Sequence, residues 1–410
     1  MKKTNMIKVL LMLLLIVFVF SISLNGFADN QAKASVSEPL RIAFIGDSIT
    51  EGVKTKDGSL TKTYRYELWK DLVDANIDVN FMGRTLVGIY ETYKGKTFPN
   101  DNLGWGGKRI EDVNDYLKNG EWGTADSGFD IVVLLIGFNN ISAWDGRPRP
   151  TTSEFNALMK ELVATIRAKN PTTKIFFQTT PFGKNPSIAI EFESEYKRIA
   201  TQINTVASPV YFIPSPPKFE AIQDTIDNIH PNAKGEKKIA DGIWGVMKYV
   251  LGAVAMPTPI INGTNDSYKY VSGKASIGEK INVVVGTQKY SANISNYVWK
   301  IVLTKTLKPG TKILAYSSIN DTKSKSVATY VLPFTPVIKQ ISSKSLYIKG
   351  VSTKGAKVIA KIGTKTYTAT ASLKTGAFSI KIIKFKAGTA AYIYSVSGGK
   401  TSLKKKYLFN

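Results

Sequence analysis

The chain has 410 residues, of which 43% are hydrophobic, and it contains no cysteine. The length predicts more than one domain, and the hydrophobic content excludes a wholly disordered chain. Without cysteine, disulfides, thiolate catalysis and cysteine-ligated zinc are excluded, while the net charge of +24 favours an anionic partner.

Residues 1–34 predict an export signal. Its positively charged start is formed by Lys2, Lys3 and Lys8. An uncharged apolar run follows from Val9 to about Ile22, and small residues then allow cleavage after Ala28 or Ala34. An uncleaved membrane anchor is the alternative, but the run is short for a bilayer span, which needs roughly 20 residues. We therefore expect a protein that is secreted or associated with the cell wall, with no membrane span after cleavage.

Residues 38–252 have the pattern of an α/β domain. Strand-like apolar runs are Leu40–Ile45, Val79–Met82, Ile131–Ile136, Ile175–Gln178 and Val210–Ile213. Helix-like stretches are Tyr66–Ala75, Thr152–Lys169, with Thr152 or Ser153 as its cap, and Ala233–Leu251. Alternation of this kind predicts a parallel sheet with helices on both faces.

An internal repeat follows a predicted linker at residues 253–258. Matching positions lie 77 residues apart and include Pro259 and Pro336, Tyr270 and Tyr347, Gly273 and Gly350, Gly286 and Gly363, and Tyr290 and Tyr367. A repeat of this length with strand periodicity predicts two small all-β sandwiches, at residues 259–335 and 336–410. They resemble the bacterial Ig-like modules of secreted and wall-associated proteins.

The positive charge is concentrated in these repeats. Residues 257–410 contain 25 lysines, no arginine and three acids, so they carry +22 of the total charge. A lysine-rich surface can simply keep the modules soluble, or it can attract an anionic polymer. Because export argues against nucleic acid, the expected partner is an anionic polymer of the cell wall.

Ser48 and His230 are the candidate nucleophile and base. Ser48 follows the first predicted strand, where parallel sheets place their sites, and His230 is the only histidine of the chain. A serine hydroxyl needs a base whose pKa is near neutrality, and only His230 meets this requirement. Asp227 stands three residues earlier and is expected to orient the imidazole; Asp224 is the alternative acid.

Two further segments can supply donors to an oxyanion. Gly107 belongs to the run Asn102–Arg109, whose glycines let backbone N–H groups approach a ligand closely. Asn139 follows the central strand, where its amide can donate a hydrogen bond into a site. Each segment alone is also compatible with an ordinary turn.

In this order, the four segments resemble the conserved blocks of the SGNH (GDSL-like) hydrolases. The resemblance implies a three-layer α/β/α, flavodoxin-like domain with Ser48 as nucleophile and Asp227 and His230 as its partners. It also implies an oxyanion hole formed by the N–H groups of Ser48 and Gly107 and the amide of Asn139. One position departs from the family pattern, because Asn140 replaces the usual aspartate.

The segments Val79–Gly83 and Gly104–Lys108 look most like the carbohydrate-esterase branch of this family. The expected function is hydrolysis of carboxylic, chiefly acetyl, esters on a polysaccharide through an acyl-enzyme, without metal or cofactor. A lipase or lysophospholipase and a non-catalytic wall-binding protein are the alternatives. Four aromatic residues are either sugar-stacking platforms or core and rim residues: Tyr90, Tyr93, Trp105 and Trp144.

Overall fold

The computed structural model describes residues 38–53, 61–85, 91–181, 186–276, 280–294 and 297–410, with only the backbone described at 186–190. The predicted export signal and Tyr90 lie outside the described residues. Within the described ranges, no helix has the length and apolar character needed to cross a membrane.

The α/β region contains eight strands and eight α-helices among its described residues. In chain order they are β1 (Leu40–Gly46), α1 (Ser48–Glu51), α2 (Thr63–Asp74), β2 (Val79–Met82), β3 (Thr92–Tyr93), β4 (Lys96–Thr97), β5 (Leu103–Gly104), α3 (Ile110–Lys118), β6 (Ile131–Leu135), α4 (Phe138–Ser142), α5 (Thr152–Lys169), β7 (Lys174–Gln178), α6 (Pro186–Ile203), β8 (Val210–Ile213), α7 (Ala221–Asp224) and α8 (Ala233–Val250).

Five of these strands form one parallel sheet in the order β2-β1-β6-β7-β8. Strand β5 pairs with the last two residues of β1. The order of the five long strands is that of flavodoxin-like folds, in which ligands bind beyond the carboxyl ends of the strands. The predicted α/β/α architecture is confirmed.

Alternate side chains of β1 face two separate hydrophobic layers. Ala43 and Ile45 pack with residues of α3, α5 and α6. Ile42 and Phe44 pack with residues of α2 and α8 on the opposite face. Because both faces are covered, the four successive residues from Ile42 to Ile45 are all apolar and buried, as expected for a central parallel strand.

Several helices differ from the sequence predictions, and α2 begins at Thr63 and not at Tyr66. Helix α5 has the predicted bounds, but its cap is Thr151, whose side chain accepts from the Glu154 amide while Glu154 bonds back to the Thr151 amide. Neither Thr152 nor Ser153 is the cap, because Glu154 at the third helical position completes a capping box only with Thr151. Helix α6 was not predicted, although Pro186 is typical of a first helical position.

Residues 259–410 form two modules with the same strand order. The first contains β9 (Ile260–Ile261), β10 (Tyr270–Lys274), β11 (Lys280–Val285), β12 (Gln288–Asn293), β13 (Val298–Val302), β14 (Lys312–Ile319), β15 (Thr322–Lys323) and β16 (Val327–Tyr330). The second contains β17 (Val337–Gln340), β18 (Tyr347–Val351), β19 (Lys357–Ile362), β20 (Lys365–Thr370), β21 (Ala377–Lys381), β22 (Ala390–Ser397), β23 (Lys400–Thr401) and β24 (Lys405–Leu408).

In each module a three-stranded and a five-stranded antiparallel sheet enclose one hydrophobic core. Repeated residues have the same physical reason in both copies. A Cβ at Gly273 would lie 1.8 Å from the Ile260 carbonyl oxygen, and one at Gly350 would lie 2.4 Å from that of Val337. The repeated glycines therefore let a neighbouring strand and an aromatic ring approach the backbone.

The first module contacts the α/β domain through the turn between β14 and β15. The Asn320 amide donates to the Val210 carbonyl oxygen at 2.7 Å, and the Tyr211 hydroxyl donates to Asp321 at 2.8 Å. Ile319 and Met256 are buried in the core layer of the α/β domain that contains α8. The segment predicted as a linker, residues 253–258, is therefore packed against the α/β domain at Met256.

Candidate active site

The turn that carries Ser48 connects β1 to the short helix α1 at the carboxyl edge of the sheet. Asp47 caps this helix, because its Oδ1 accepts from the Ile49 amide at 3.0 Å. A Cβ at Gly46 would lie 2.3 Å from the Leu135 carbonyl oxygen, so only glycine fits there. The turn leaves Ser48 partly exposed at the first position of α1.

The loop before α8 brings His230 to this serine. His230 Nε2 lies 2.9 Å from Ser48 Oγ, and His230 Nδ1 lies 2.6 Å from Asp227 Oδ2. The other Asp227 oxygen accepts from the backbone amides of Ile229 at 3.0 Å and His230 at 2.7 Å. These bonds fix the carboxylate, the ring and the hydroxyl in one line, which is the geometry that activates a serine.

The environment of Asp227 favours its ionised form. Partial burial acts to raise the pKa of this carboxyl, but the bonds from the His230 ring and from two backbone amides outweigh burial and leave the pKa lowered. An ionised Asp227 stabilises a positive charge on the imidazole. The alternative acid, Asp224, accepts instead from Lys238 Nζ at 2.6 Å and from the Glu220 amide at 2.7 Å.

The predicted oxyanion donors lie at the same edge of the sheet. Gly107 lies between β5 and α3 with a φ of +72°, which favours glycine. Asn139 is buried in α4, directly after β6, and its Nδ2 donates to the Lys108 carbonyl oxygen at 2.8 Å. Since β5 and β6 both pair with β1 in parallel, these segments end beside the Ser48 turn.

Asn140 has a structural role that the sequence did not reveal. Its Oδ1 accepts from the Ile110 amide at the start of α3 at 3.0 Å, and its Nδ2 donates to Glu111 at 2.7 Å. Both an aspartate and an asparagine can accept from the amide, but only asparagine can donate to Glu111. Asparagine at this position, where the family usually has aspartate, therefore suits a neighbouring glutamate that accepts its hydrogen bond.

Sequence reasoning missed a set of residues that connect the Ser48 turn to the Gly107 loop. Glu51 Oε2 accepts from the Gly106 amide at 2.7 Å, and its Oε1 is paired with Arg84 at 3.3 Å. A Cβ at Gly106 would lie 2.8 Å from Glu51 Oε2 and 3.9 Å from Ser48 Cβ, so this glycine faces Ser48. The position of Glu51, three residues after Ser48 in the same turn, is the only signal in the sequence.

A buried arginine holds the end of α1. Arg65 is fully buried, and its Nε donates to the Thr50 carbonyl oxygen at 2.9 Å. Its other nitrogens donate to Asn100, to the carbonyl oxygen at 3.0 Å and to the side chain at 3.1 Å. A cation at the carbonyl end of a helix is stabilising, and here it fixes the helix that begins with Ser48.

The four aromatic candidates have different surroundings. Trp105 is 6% exposed beneath the Arg84 guanidinium, and Tyr93 is partly buried and packs against Trp69. Trp144 is 62% exposed, although its Nε1 donates to Asn139. Of the three candidates that lie within the described residues, only Trp144 has a large exposed ring face next to the site.

Comparison with known proteins gives one family match. Residues 44–238 match the model of the GDSL-like Lipase/Acylhydrolase family. The chain is similar to a carbohydrate esterase family 3 from Talaromyces cellulolyticus, with 22% identity over 53% of this chain and 100% of that chain and a TM-score of 0.43. For the family 3 carbohydrate esterase of Clostridium thermocellum, the identity is 23%, over 53% of this chain and 98% of that chain, with a TM-score of 0.42. No curated protein has a significant match to the chain.

Proposed function

We propose that this chain is a serine esterase of the GDSL-like lipase/acylhydrolase family, whose model matches residues 44–238. Ser48, His230 and Asp227 are its proposed catalytic triad. The observation that carries the assignment is the continuous hydrogen-bonded line from Ser48 Oγ through the imidazole to Asp227, with distances of 2.9 and 2.6 Å. This geometry lets one proton move from the hydroxyl to the base without rearrangement.

The reaction follows from these contacts. His230 Nε2 takes the hydroxyl proton as Ser48 Oγ attacks the ester carbonyl carbon, and the carbonyl oxygen becomes an oxyanion. The N–H groups of Ser48 and Gly107 and the amide of Asn139 are the proposed donors to this oxyanion. When the tetrahedral intermediate collapses, the bond to the alcohol oxygen breaks and Nε2 returns its proton to that oxygen.

An acyl-enzyme remains on Ser48 after the alcohol has left. Water then attacks the acyl carbon while His230 Nε2 accepts a proton from it, and a second tetrahedral intermediate releases the acid and restores the hydroxyl. Asp227 stays ionised throughout and stabilises the imidazolium formed in both halves of the cycle.

A chromogenic acetyl ester tests the triad. We expect Ser48→Ala and His230→Ala each to reduce kcat by at least about 10⁴, with unchanged circular dichroism. Near-normal turnover by a folded Ser48→Ala protein would refute the assignment. A wild-type protein that hydrolyses no ester would favour the non-catalytic wall-binding alternative.

The proposed substrate is an acetylated polysaccharide. It is supported by the resemblance of Val79–Gly83 and Gly104–Lys108 to carbohydrate esterases and by the free face of Trp144 beside Asn139. Large rigid aromatic faces of this kind bind amphipathic ligands such as sugar rings. Model esters of increasing acyl length, compared with acetate release from a panel of acetylated glycans including xylan and peptidoglycan, separate this proposal from a lipase.

The modules at 259–410 are proposed to hold a secreted enzyme on an anionic wall polymer. Two of the three acids in this part are bonded at junctions, since Asp321 accepts from Tyr211 and Asp266 accepts from Phe334 and Thr353. The third, Glu279, lies outside the described residues. The lysines therefore dominate the electrostatic character of the module surfaces.

The second module offers a specific face for such a polymer. Tyr392 is 47% exposed on β22, and its cross-strand neighbours are Lys361 on β19 and Lys406 on β24. Lys404 stacks over Tyr394 two residues along the same strand, with its Nζ 5.3 Å from the ring centroid. An aromatic residue flanked by lysines can contact a sugar or polyol backbone and its acidic groups together.

Binding of the full chain to purified walls tests this proposal. The double variant Lys361→Gln/Lys406→Gln should bind more weakly than Lys160→Gln/Lys197→Gln, which removes the same charge from exposed positions of the α/β domain. Binding should also fall as salt rises, because the Debye length shortens from about 10 Å at 0.1 M to about 3 Å at 1 M. Equal binding by the two variants, or binding that ignores salt and the stripping of anionic polymers, would refute this role.

A further inference from the structure

Trp144 contacts both residues that are proposed to supply oxyanion donors beyond Ser48. Its Nε1 donates to Asn139 Oδ1 at 2.7 Å. Its Cζ2 lies 3.0 Å from the position that a Cβ on Gly107 would occupy, so the indole edge lies against the Gly107 backbone. One side chain thus spans the two donors.

The bond to the indole determines which way the Asn139 amide points. An indole N–H can only donate, so the atom of Asn139 that faces it must be the oxygen. The nitrogen then faces the other way, where one of its two N–H groups is donated to the Lys108 carbonyl oxygen at 2.8 Å. The second N–H can be donated to a developing oxyanion. A flipped amide would present its oxygen to that negative charge instead.

The loop that carries Trp144 is held by ion pairs. Arg109 is 3% exposed and bonds to Asp145 at 2.6 Å and to the Arg147 carbonyl oxygen at 2.6 Å. Arg147 in turn pairs with Asp112 at 2.6 Å. The buried Arg109 and the repeated hydrogen bonds fix this loop, so the indole is in place before substrate binds. The outer face of the indole ring is nevertheless exposed.

We propose that Trp144 is a positioning residue that holds the Asn139 amide in the orientation needed for oxyanion stabilisation. This inference rests on the proposed function of Ser48, Gly107 and Asn139. It separates the two parts of the indole, since the N–H acts on the rate of the chemical step and the exposed ring face acts on substrate binding.

Trp144→Phe removes the N–H and keeps a ring. On a small chromogenic acetyl ester, we expect kcat to fall about tenfold while KM changes less than about twofold, because the Lys108 bond still partly restrains the amide. The loss should be smaller than the roughly 10²–10³ expected for Asn139→Ala, which removes the donor itself. Unchanged circular dichroism and Tm establish that each variant is folded.

Trp299→Phe is the matched control. Trp299 is a buried residue of the first module, and its indole N–H has no hydrogen-bond partner among the described residues. The same substitution at Trp299 removes an N–H group that makes no hydrogen bond with the described residues, so kcat should equal that of the wild type.

The decisive comparison is Trp144→Phe in the Asn139→Ala background. If the indole acts through Asn139, the double variant should have the kcat of Asn139→Ala alone. A further tenfold loss in that background, or wild-type kcat for Trp144→Phe alone, would overturn the inference while leaving the esterase assignment intact. A wild-type protein without esterase activity would instead overturn the proposed function.

Discussion

The α/β domain and the β modules handle charge in opposite ways. The described α/β domain buries carboxylates and guanidinium groups, among them Asp47, Arg65, Asp224 and Glu236. In the described parts of the two modules, the buried polar side chains are all serine or threonine. A buried charge is costly unless it is paired or neutralised, and such groups are concentrated where a protein positions reacting atoms.

The buried serines of the modules have a repeated structural task. The Ser317 hydroxyl donates to the Pro257 carbonyl oxygen, and the Ser395 hydroxyl donates in the same way to the Phe334 carbonyl oxygen. Each bond ties the segment that enters a module to that module's β14 or β22 strand. The α/β domain therefore buries charged groups, whereas in the described parts of the modules the charged side chains lie at the surface.

The largest effect that tests this contrast is expected when one charge is removed from the candidate site. We expect Asp227→Asn to reduce kcat on a small acetyl ester by on the order of 10²–10⁴, because the imidazolium loses its stabilising carboxylate and its tautomer is no longer fixed. The loss should stay below that of His230→Ala, which removes the base.

Asp266→Asn is the control for this substitution. Asp266 is an acid of the first module that accepts from Phe334 and Thr353, far along the chain from the site. The same change of charge there should leave kcat unaltered. If Asp227→Asn also had wild-type kcat, the orienting role of Asp227 would be wrong.

A smaller effect is expected at Glu51, which connects the Ser48 turn to the glycine loop. Glu51→Ala removes the acceptor of the Gly106 amide and should lower kcat about tenfold with little change in KM, because the Gly107 N–H loses its fixed position. Glu51→Gln keeps an oxygen that can accept from Gly106 and should retain most of the rate. Equal losses in both variants would assign the effect to the pair with Arg84 instead.

The contrast also explains what the sequence predicts. The main strands along the chain, the parallel sheet and the repeated β modules follow from hydrophobic periodicity and from the 77-residue offset, because both are local or regular signals. The flavodoxin-like arrangement was implied by the family resemblance. The approach of His230 to Ser48 was predicted through chemistry, since a serine hydroxyl needs a base and His230 is the only histidine of the chain. The catalytic roles themselves stay predictions.

The remaining contacts have no such signal. The bonds of Arg65 to Asn100 and of Trp144 to Asn139 join polar side chains whose positions in the sequence carry no periodicity. The contact of Asn320 with Val210 joins residues 110 positions apart. Contacts of this kind depend on the packed fold, and propensity or spacing does not encode them.

The smallest expected effect is on stability, and it concerns the carboxyl group of Asp47, the residue before Ser48. Burial raises the pKa of Asp47 to about 7, against hydrogen bonding from the Ile49 amide and its own amide, which acts to lower it. Its Oδ2 is buried without a hydrogen-bond partner among the described residues. The native protein therefore binds more protons than the unfolded chain between about pH 4 and pH 7, and stability falls as pH rises through this window.

Asp47→Asn should remove this loss, because a neutral amide resembles the protonated acid and its oxygen can still accept from the Ile49 amide. Local relaxation reduces the cost of the buried charge, so we expect a gain of about 1 kcal/mol at pH 8, or about 2–4 °C in the Tm of the α/β domain. At pH 4 the variant and the wild type should melt within about 1 °C of each other, since both are then neutral at this position. A Tm gain that is the same at pH 4 and pH 8 would mean that Asp47 is not the titrating group.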